Sequence, residues 1–135
     1  GRTSVQFYLI ALEDNGASGP AVGCGDSAVP VTVNIEPTLG VLRAALNALF
    51  AVESDYYGES GLYNALHQSD LQIESLAVQN GTAYIRLQGQ LVLGGVCDAP
   101  RVEAQLTRTA LQFSTVQRVE IYINNVPLQQ LLSQQ

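Results

Sequence analysis

The sequence has no lysine, methionine or tryptophan, and it holds one histidine and two cysteines in 135 residues. Each shortage removes a class of function. Without lysine there is no Walker-type phosphate loop, no Schiff-base chemistry and no catalytic amine. A single histidine, His67, rules out a multi-histidine metal centre. The positive charges are six arginines, Arg2, Arg43, Arg86, Arg101, Arg108 and Arg118, against twelve acidic residues, for a net charge of −6. That balance argues against a nucleic-acid footprint and against adhesion to an anionic membrane surface. No apolar run reaches the roughly 20 residues that span a bilayer. The chain begins at Gly1 and lacks methionine, so it reads as a trimmed or processed product. An export signal or anchor is expected ahead of it.

What is present is core material. Hydrophobic residues make up 47% of the chain and charged ones 13%, which argues against disorder. The length suits one domain over 1–135, with 1–4 and 129–135 read as flexible ends.

Cys24 and Cys97 both lie in turn sequence, Gly23-Cys24-Gly25-Asp26 and Gly94-Gly95-Val96-Cys97-Asp98. Structural thiols are more often buried in apolar elements, so two turn cysteines point to a disulfide and an oxidising compartment. Closing a loop of roughly 70 residues stabilises a fold by about 4 kcal/mol in the chain-entropy model. The alternative is a reactive thiol with His67 as its base.

Val5–Leu12 reads as a strand, with Val5, Phe7 and Leu9 on one face. Glu13–Ala28 is a Gly-rich loop in which Asp14, Asn15 and Asp26 form turns. Val29–Ile35 alternates as a strand, and Pro30 suits its start or a sheet edge. Thr38 is the expected N-cap of a helix over Leu39–Ala51. Glu53–Asp70 is a long connection with a helical turn near Leu62–His67. Leu71–Gln79 and Thr82–Gln88 form a hairpin on Asn80-Gly81, and the second strand continues to Leu93 with a bend at Gly89. Asp98 is the expected cap of a second helix, with Pro100 in its first turn and Val102, Leu106, Ala110 and Phe113 buried. Val119–Ile123 is the last strand, followed by a turn at Asn124-Asn125. The order strand, strand, helix, strand, strand, helix, strand predicts an α+β two-layer sandwich. Its mixed sheet should have about five strands and two helices on one face.

Four segments, in this order and spacing, resemble the sporulation and spore-germination domain called GerMN. They are Phe7–Leu12 (FYLIAL) with its Gly-rich loop and Val29-Pro30-Val31; Pro37–Leu49; Leu76–Ile85; and Val116–Asn124. The resemblance runs from about Val5 to Leu128. It departs from the family pattern at Arg86–Gln90, where an acidic residue is usual, at Asn124-Asn125, where glycine is usual, and between Gly61 and Gln68. The resemblance implies an extracytoplasmic bacterial interaction or assembly module, often within a lipoprotein and sometimes beside an immunoglobulin-like domain. It implies anchoring through a preceding segment, envelope or spore-associated protein partners, no enzymatic activity and no cofactor. It supplies no catalytic residues to carry over.

Among candidate sites, His67 near Asp70 has the composition of an acid–base pair but also of a solvated loop. Glu53, Asp55 and Glu59, with Ser54 and Ser60, offer oxygen ligands for a hard cation without EF-hand spacing; a solvated acidic loop is the simpler reading. Strand alternation puts Tyr8, Thr32, Tyr84, Arg86 and Tyr122 on the sheet face away from the helices. Tyrosine and arginine are enriched in recognition surfaces, so this face is the expected platform for a protein partner. A glycan or other small ligand is the alternative.

Overall fold

The computed structural model describes residues 1–134. Strand β1 (Arg2–Ala11) pairs antiparallel with β3 (Asp26–Thr38), and the two-residue β2 (Ala21–Val22) adds to the start of β3. Helix α1 (Val41–Phe50) follows. A second sheet is built from β4 (Asp70–Gln79), β5 (Thr82–Gln90), β6 (Arg118–Ile123) and β7 (Val126–Pro127), in that spatial order. Helix α2 (Asp98–Leu111) crosses from β5 to β6, which lie parallel. A crossover of that kind is what a parallel pair requires. A short helix α3 (Leu128–Leu132) ends the described chain.

The α+β class and the ββαββαβ order of the main elements are therefore present, but the single sheet of about five strands is replaced by two sheets. The reason lies at the outer edge of β1. There Gln112 uses its side-chain amide as a strand would: the Gln6 N–H donates to Gln112 Oε1 at 3.0 Å, and Gln112 Nε2 donates to the Gln6 carbonyl at 2.6 Å. Next along, the Tyr8 N–H donates to Thr109 Oγ1 at 3.1 Å. Ile10 and Tyr63 then exchange two backbone hydrogen bonds, at 2.8 and 2.7 Å. With its edge amides satisfied, β1 cannot accept a strand of the other sheet. The helices join the halves instead: α1 packs on β1 and β4, and α2 on β1 and β6. One apolar core results, containing Phe7, Leu9, Leu46, Leu49, Ile85, Leu87, Leu106 and Ile123.

Local expectations fare unevenly. The Asn80-Gly81 turn forms with φ of 51° and 81°, and Asn124-Asn125 also adopts the left-handed conformation. Gly89 sits at φ 126°, where a Cβ would collide with the Asp70 carbonyl oxygen; β5 ends at Gln90, opposite the first residue of β4, rather than reaching Leu93. Strand β3 starts at Asp26, three residues before the alternating run, because Ser27 and Ala28 pair with Ala11 and Ile10. Thr38 ends β3 and accepts the Gly40 N–H at 2.9 Å; Gly40 is the N-cap, and Leu39 is 90% exposed rather than part of the stripe. Leu62 and Tyr63 are extended against β1, and the expected helical turn is replaced by hydrogen-bonded turns after Asn64. At the ends, β1 includes Arg2–Ser4 and α3 spans Leu128–Leu132; Gln135 of the tail 129–135 lies outside the described residues.

Candidate interaction face and the buried Tyr63 network

The second sheet buries Ala83, Ile85, Leu87, Ile121 and Ile123, so alternation turns Tyr84, Arg86, Glu120 and Tyr122 outward. Parallel register sets Arg86 beside Tyr122 and Tyr84 beside Glu120. The Arg86 guanidinium lies 4.5 Å from the Tyr122 ring centre, and the Tyr122 hydroxyl donates to Glu120 Oε1 at 3.0 Å. That hydrogen bond and the Glu120 charge raise the Tyr122 phenol above its ordinary range. An exposed cation–π contact of this sort contributes only about 0.5–1 kcal/mol, so the group is arranged more than it is stabilising.

Tyr8 and Thr32 are not part of that surface. Both belong to the first sheet, where they lie on one face, Thr32 opposite Gln6 and Tyr8 opposite Pro30. The five expected platform residues thus divide into a group of three and a pair. Alternation identified the faces correctly; the assumption of one continuous sheet did not hold.

The two cysteines form a disulfide, with Cα atoms 5.9 Å apart, that ties the turn Gly23–Gly25 to the N-cap of α2. With both sulfurs bonded there is no thiol for His67 to activate. The His67 ring instead packs edge-on against Tyr63, with centroids 5.8 Å apart. Glu53, Asp55 and Glu59 do not converge: among the described residues no three His, Cys, Asp or Glu side chains group to hold a metal ion.

Beside the disulfide lies a charged network that sequence reading missed. Asp98 does not cap α2 from outside. It occupies the first turn, buried, with its Oδ2 accepting the Gly94 N–H at 2.8 Å. Asp26 is not a turn former either. It is fully buried, accepting the Glu13 N–H at 3.0 Å and the Arg101 Nε at 2.6 Å. Arg101 Nη1 donates to Asp98 Oδ1 at 3.1 Å, so one guanidinium bridges two buried carboxylates. Burial works against that charge, yet the hydrogen bonds to Asp26 and Asp98 hold Arg101 above its ordinary range. The Tyr63 hydroxyl completes the group by donating to Asp98 at 3.2 Å. By contrast, Asp14 and Asn15 form turns as expected. Hydrogen bonds from Ser27 and Ser18 hold the Asp14 carboxyl below its usual range.

A neutral network pins the same loop. Gln105 and Asn64 are fully buried; Gln105 Oε1 accepts the Ala65 N–H at 2.8 Å, and its Nε2 donates to Asn64 Oδ1 at 3.1 Å. A sequence signal existed for this one. Gln105 and Thr109 fall at helical spacing between Val102, Leu106 and Ala110, so they had to lie on the buried face.

Burial, and then the neighbouring Asp98 charge, push the Tyr63 phenol up to about 12. An elevated phenol pKa means that the folded state holds its proton better than the unfolded state. The stabilisation is therefore complete below the unfolded value, about 10, and is lost as pH rises toward about 12. After allowance for solvent screening at this half-buried position, the loss should be about 1 kcal/mol. Urea unfolding at pH 9 and pH 12 should show it, and Tyr63→Phe should lose less stability across that range than the parent. An equal alkaline loss in both proteins would mean that Tyr63 is not the titrating group.

Together these features define an α+β fold stapled by a disulfide and carrying an outward-facing, half-buried tyrosine–arginine group. The chain belongs to the sporulation and spore germination family, whose model matches residues 7–129. Among solved structures, it is similar to the first GerMN domain of the sporulation protein GerM from Bacillus subtilis. That match has a TM-score of 0.65 at 19% identity and covers 93% of this chain and 86% of the other. The tandem GerMN domains of the same protein match with a TM-score of 0.64 at 17% identity over 91% of this chain. This chain spans only 39% of that one. A lipoprotein from Clostridium perfringens matches with a TM-score of 0.50 at 14% identity, covering 92% and 77% of the two chains. No curated protein sequence matches significantly. At these identities the structural matches establish a shared fold. The family is not a known enzyme family, and its description ties the chain to sporulation and spore germination.

Proposed function

We propose that this protein is a non-catalytic, extracytoplasmic interaction module acting in sporulation or spore germination, and that it holds an envelope or spore-associated protein on the outer face of its second sheet. The observation that carries this reading is the grouping of Tyr84, Arg86 and Tyr122, ordered by a 4.5 Å cation–π contact and by the Glu120 hydrogen bond. Aromatic and arginine side chains are the residues that dominate binding energy at protein interfaces. Extracytoplasmic residence draws support from the disulfide and from the similarity to a lipoprotein.

The test is a photocrosslinking amino acid at Gln88 or Ser75, each beside this face, in cells that are forming spores. A discrete adduct is expected, and Tyr84→Ala with Arg86→Ala should abolish it. Tyr84 and Arg86 are half-buried on the outer face rather than in the core, so the melting temperature of that variant should fall by no more than about 5 °C. An adduct that survives the double substitution overturns the assignment of this face. Calorimetric titration with cell-wall oligosaccharides separates the alternative occupant: saturable heat abolished by the same substitutions would favour a glycan.

A further inference from the structure

The two edges of the first sheet are treated differently. On β1 the amides of Gln6, Tyr8 and Ile10 point away from β3, and each has a partner. Their antiparallel neighbours on β3 are Thr32, Pro30 and Ala28. In such pairs both residues turn their N–H and C=O groups outward. The Ala28 N–H is accepted by the Pro20 carbonyl at 2.9 Å. Pro30 has no N–H to offer. Thr32, and Asn34 opposite Ser4, have the same outward parity, and among the described residues nothing accepts their N–H groups. The result is a short open window in a strand whose other end is blocked.

That window borders a groove of about 820 Å³ between β3 and α1. Val33 and Ile35 share the strand face that carries α1, and across the groove α1 presents Ala44 and Ala48. These small side chains leave space where the inward residues of one more strand would sit. Thr38–Gly40, the β3–α1 connection, forms one end, and Tyr57 lies at the other. The lining is otherwise apolar or neutral, apart from one acid, Glu36, and one base, Arg43.

We propose that the groove binds an extended peptide segment of a partner protein by strand addition to Thr32–Asn34. The segment carries apolar residues at alternate positions. Main-chain hydrogen bonds to the edge supply affinity, and the alternating side chains against α1 supply selectivity. A second copy of this chain is disfavoured as the occupant by like-charge repulsion, since each carries a net charge of −6. The proposal shares with the preceding section only the premise of an interaction module; its surface is separate.

Two measurements test it. In the free protein, the Thr32 and Asn34 amides should exchange with deuterium at least tenfold faster than those of Val31 and Val33, at low and high protein concentration alike. Slow exchange at both would show the edge to be covered, and protection growing with concentration would assign it to a second copy; either overturns the proposal. Second, a displayed library of random linear peptides about 12 residues long is selected against the whole chain. Peptides with alternating apolar residues should emerge and should shift the Thr32 and Asn34 resonances. In the best peptide, N-methylation at alternate residues in one register should weaken binding at least tenfold, while the other register should not, as strand pairing requires. Arg86→Ala should leave binding unchanged, so this proposal and the sheet-face reading fail independently. No enrichment, equal effects of both N-methyl registers, or resonance shifts confined to the second sheet would sink it.

Discussion

Reducing the Cys24–Cys97 bridge, or replacing both cysteines by serine, is expected to lower the melting temperature by about 10–15 °C. The bridge closes a separation of 73 residues, for which loop-closure entropy predicts about 4 kcal/mol. Spread over the unfolding entropy of a chain this long, each kcal/mol corresponds to roughly 3–4 °C. The staple matters more than its entropy suggests, because it joins two segments that each carry a buried carboxylate, Asp26 and Asp98. Calorimetry with and without reductant measures the effect, and thiol titration of denatured protein confirms the bridge. A shift below about 3 °C would mean that the hydrogen bonds of Asp26 and Asp98 hold the two segments together without it.

Arg101→Met should destabilise the protein by about 3–5 kcal/mol at neutral pH. Among the described residues, the guanidinium is the only cation touching Asp26, which is 0% exposed, or Asp98, which is 3% exposed. Removing it leaves two like charges facing each other in a poorly solvated site. Lysine should not restore stability, because a single ammonium cannot reproduce the fork that reaches both carboxylates. A second substitution identifies the mechanism. Asp26→Asn combined with Arg101→Met should recover part of the loss, because it removes one of the two charges left without a partner. A double variant no more stable than Arg101→Met alone would trace the deficit to lost packing of the arginine stem. Because this network adjoins the disulfide, its substitutions should not be additive with bridge removal.

Much of the fold was legible in local sequence. The alternation of Val29, Val31, Val33 and Ile35 marked a strand, and the apolar spacing of Leu42, Leu46 and Leu49 marked a helix. Asn80-Gly81 marked a hairpin turn whose left-handed dihedrals the structure reproduces. Turn-rich surroundings marked the cysteines as partners. Errors gathered where a polar residue had two readings. Asp98 stands where a cap is common and Asp26 where a turn is common, and both instead meet an arginine distant in sequence from Asp26. A local pattern cannot distinguish an aspartate satisfied by its own backbone from one satisfied by a remote guanidinium.

The sequence by itself determined the main strands and the two long helices and which of their faces are apolar, because those properties depend on residues within one or two turns of each other. That the two cysteines pair followed from there being only two, both in turns. Only the tertiary structure decided that there are two sheets rather than one, that Tyr8 and Thr32 are separated from the Arg86–Tyr122 group, and that β1 is capped while β3 is open. Each of these depends on which outward amide finds an acceptor. The acceptors, on Gln112, Thr109 and Tyr63, come from helix and loop segments far along the chain. A buried backbone donor must be satisfied by whichever group folding brings to it, and alternation along a strand records the face of a side chain but not the partner of an edge.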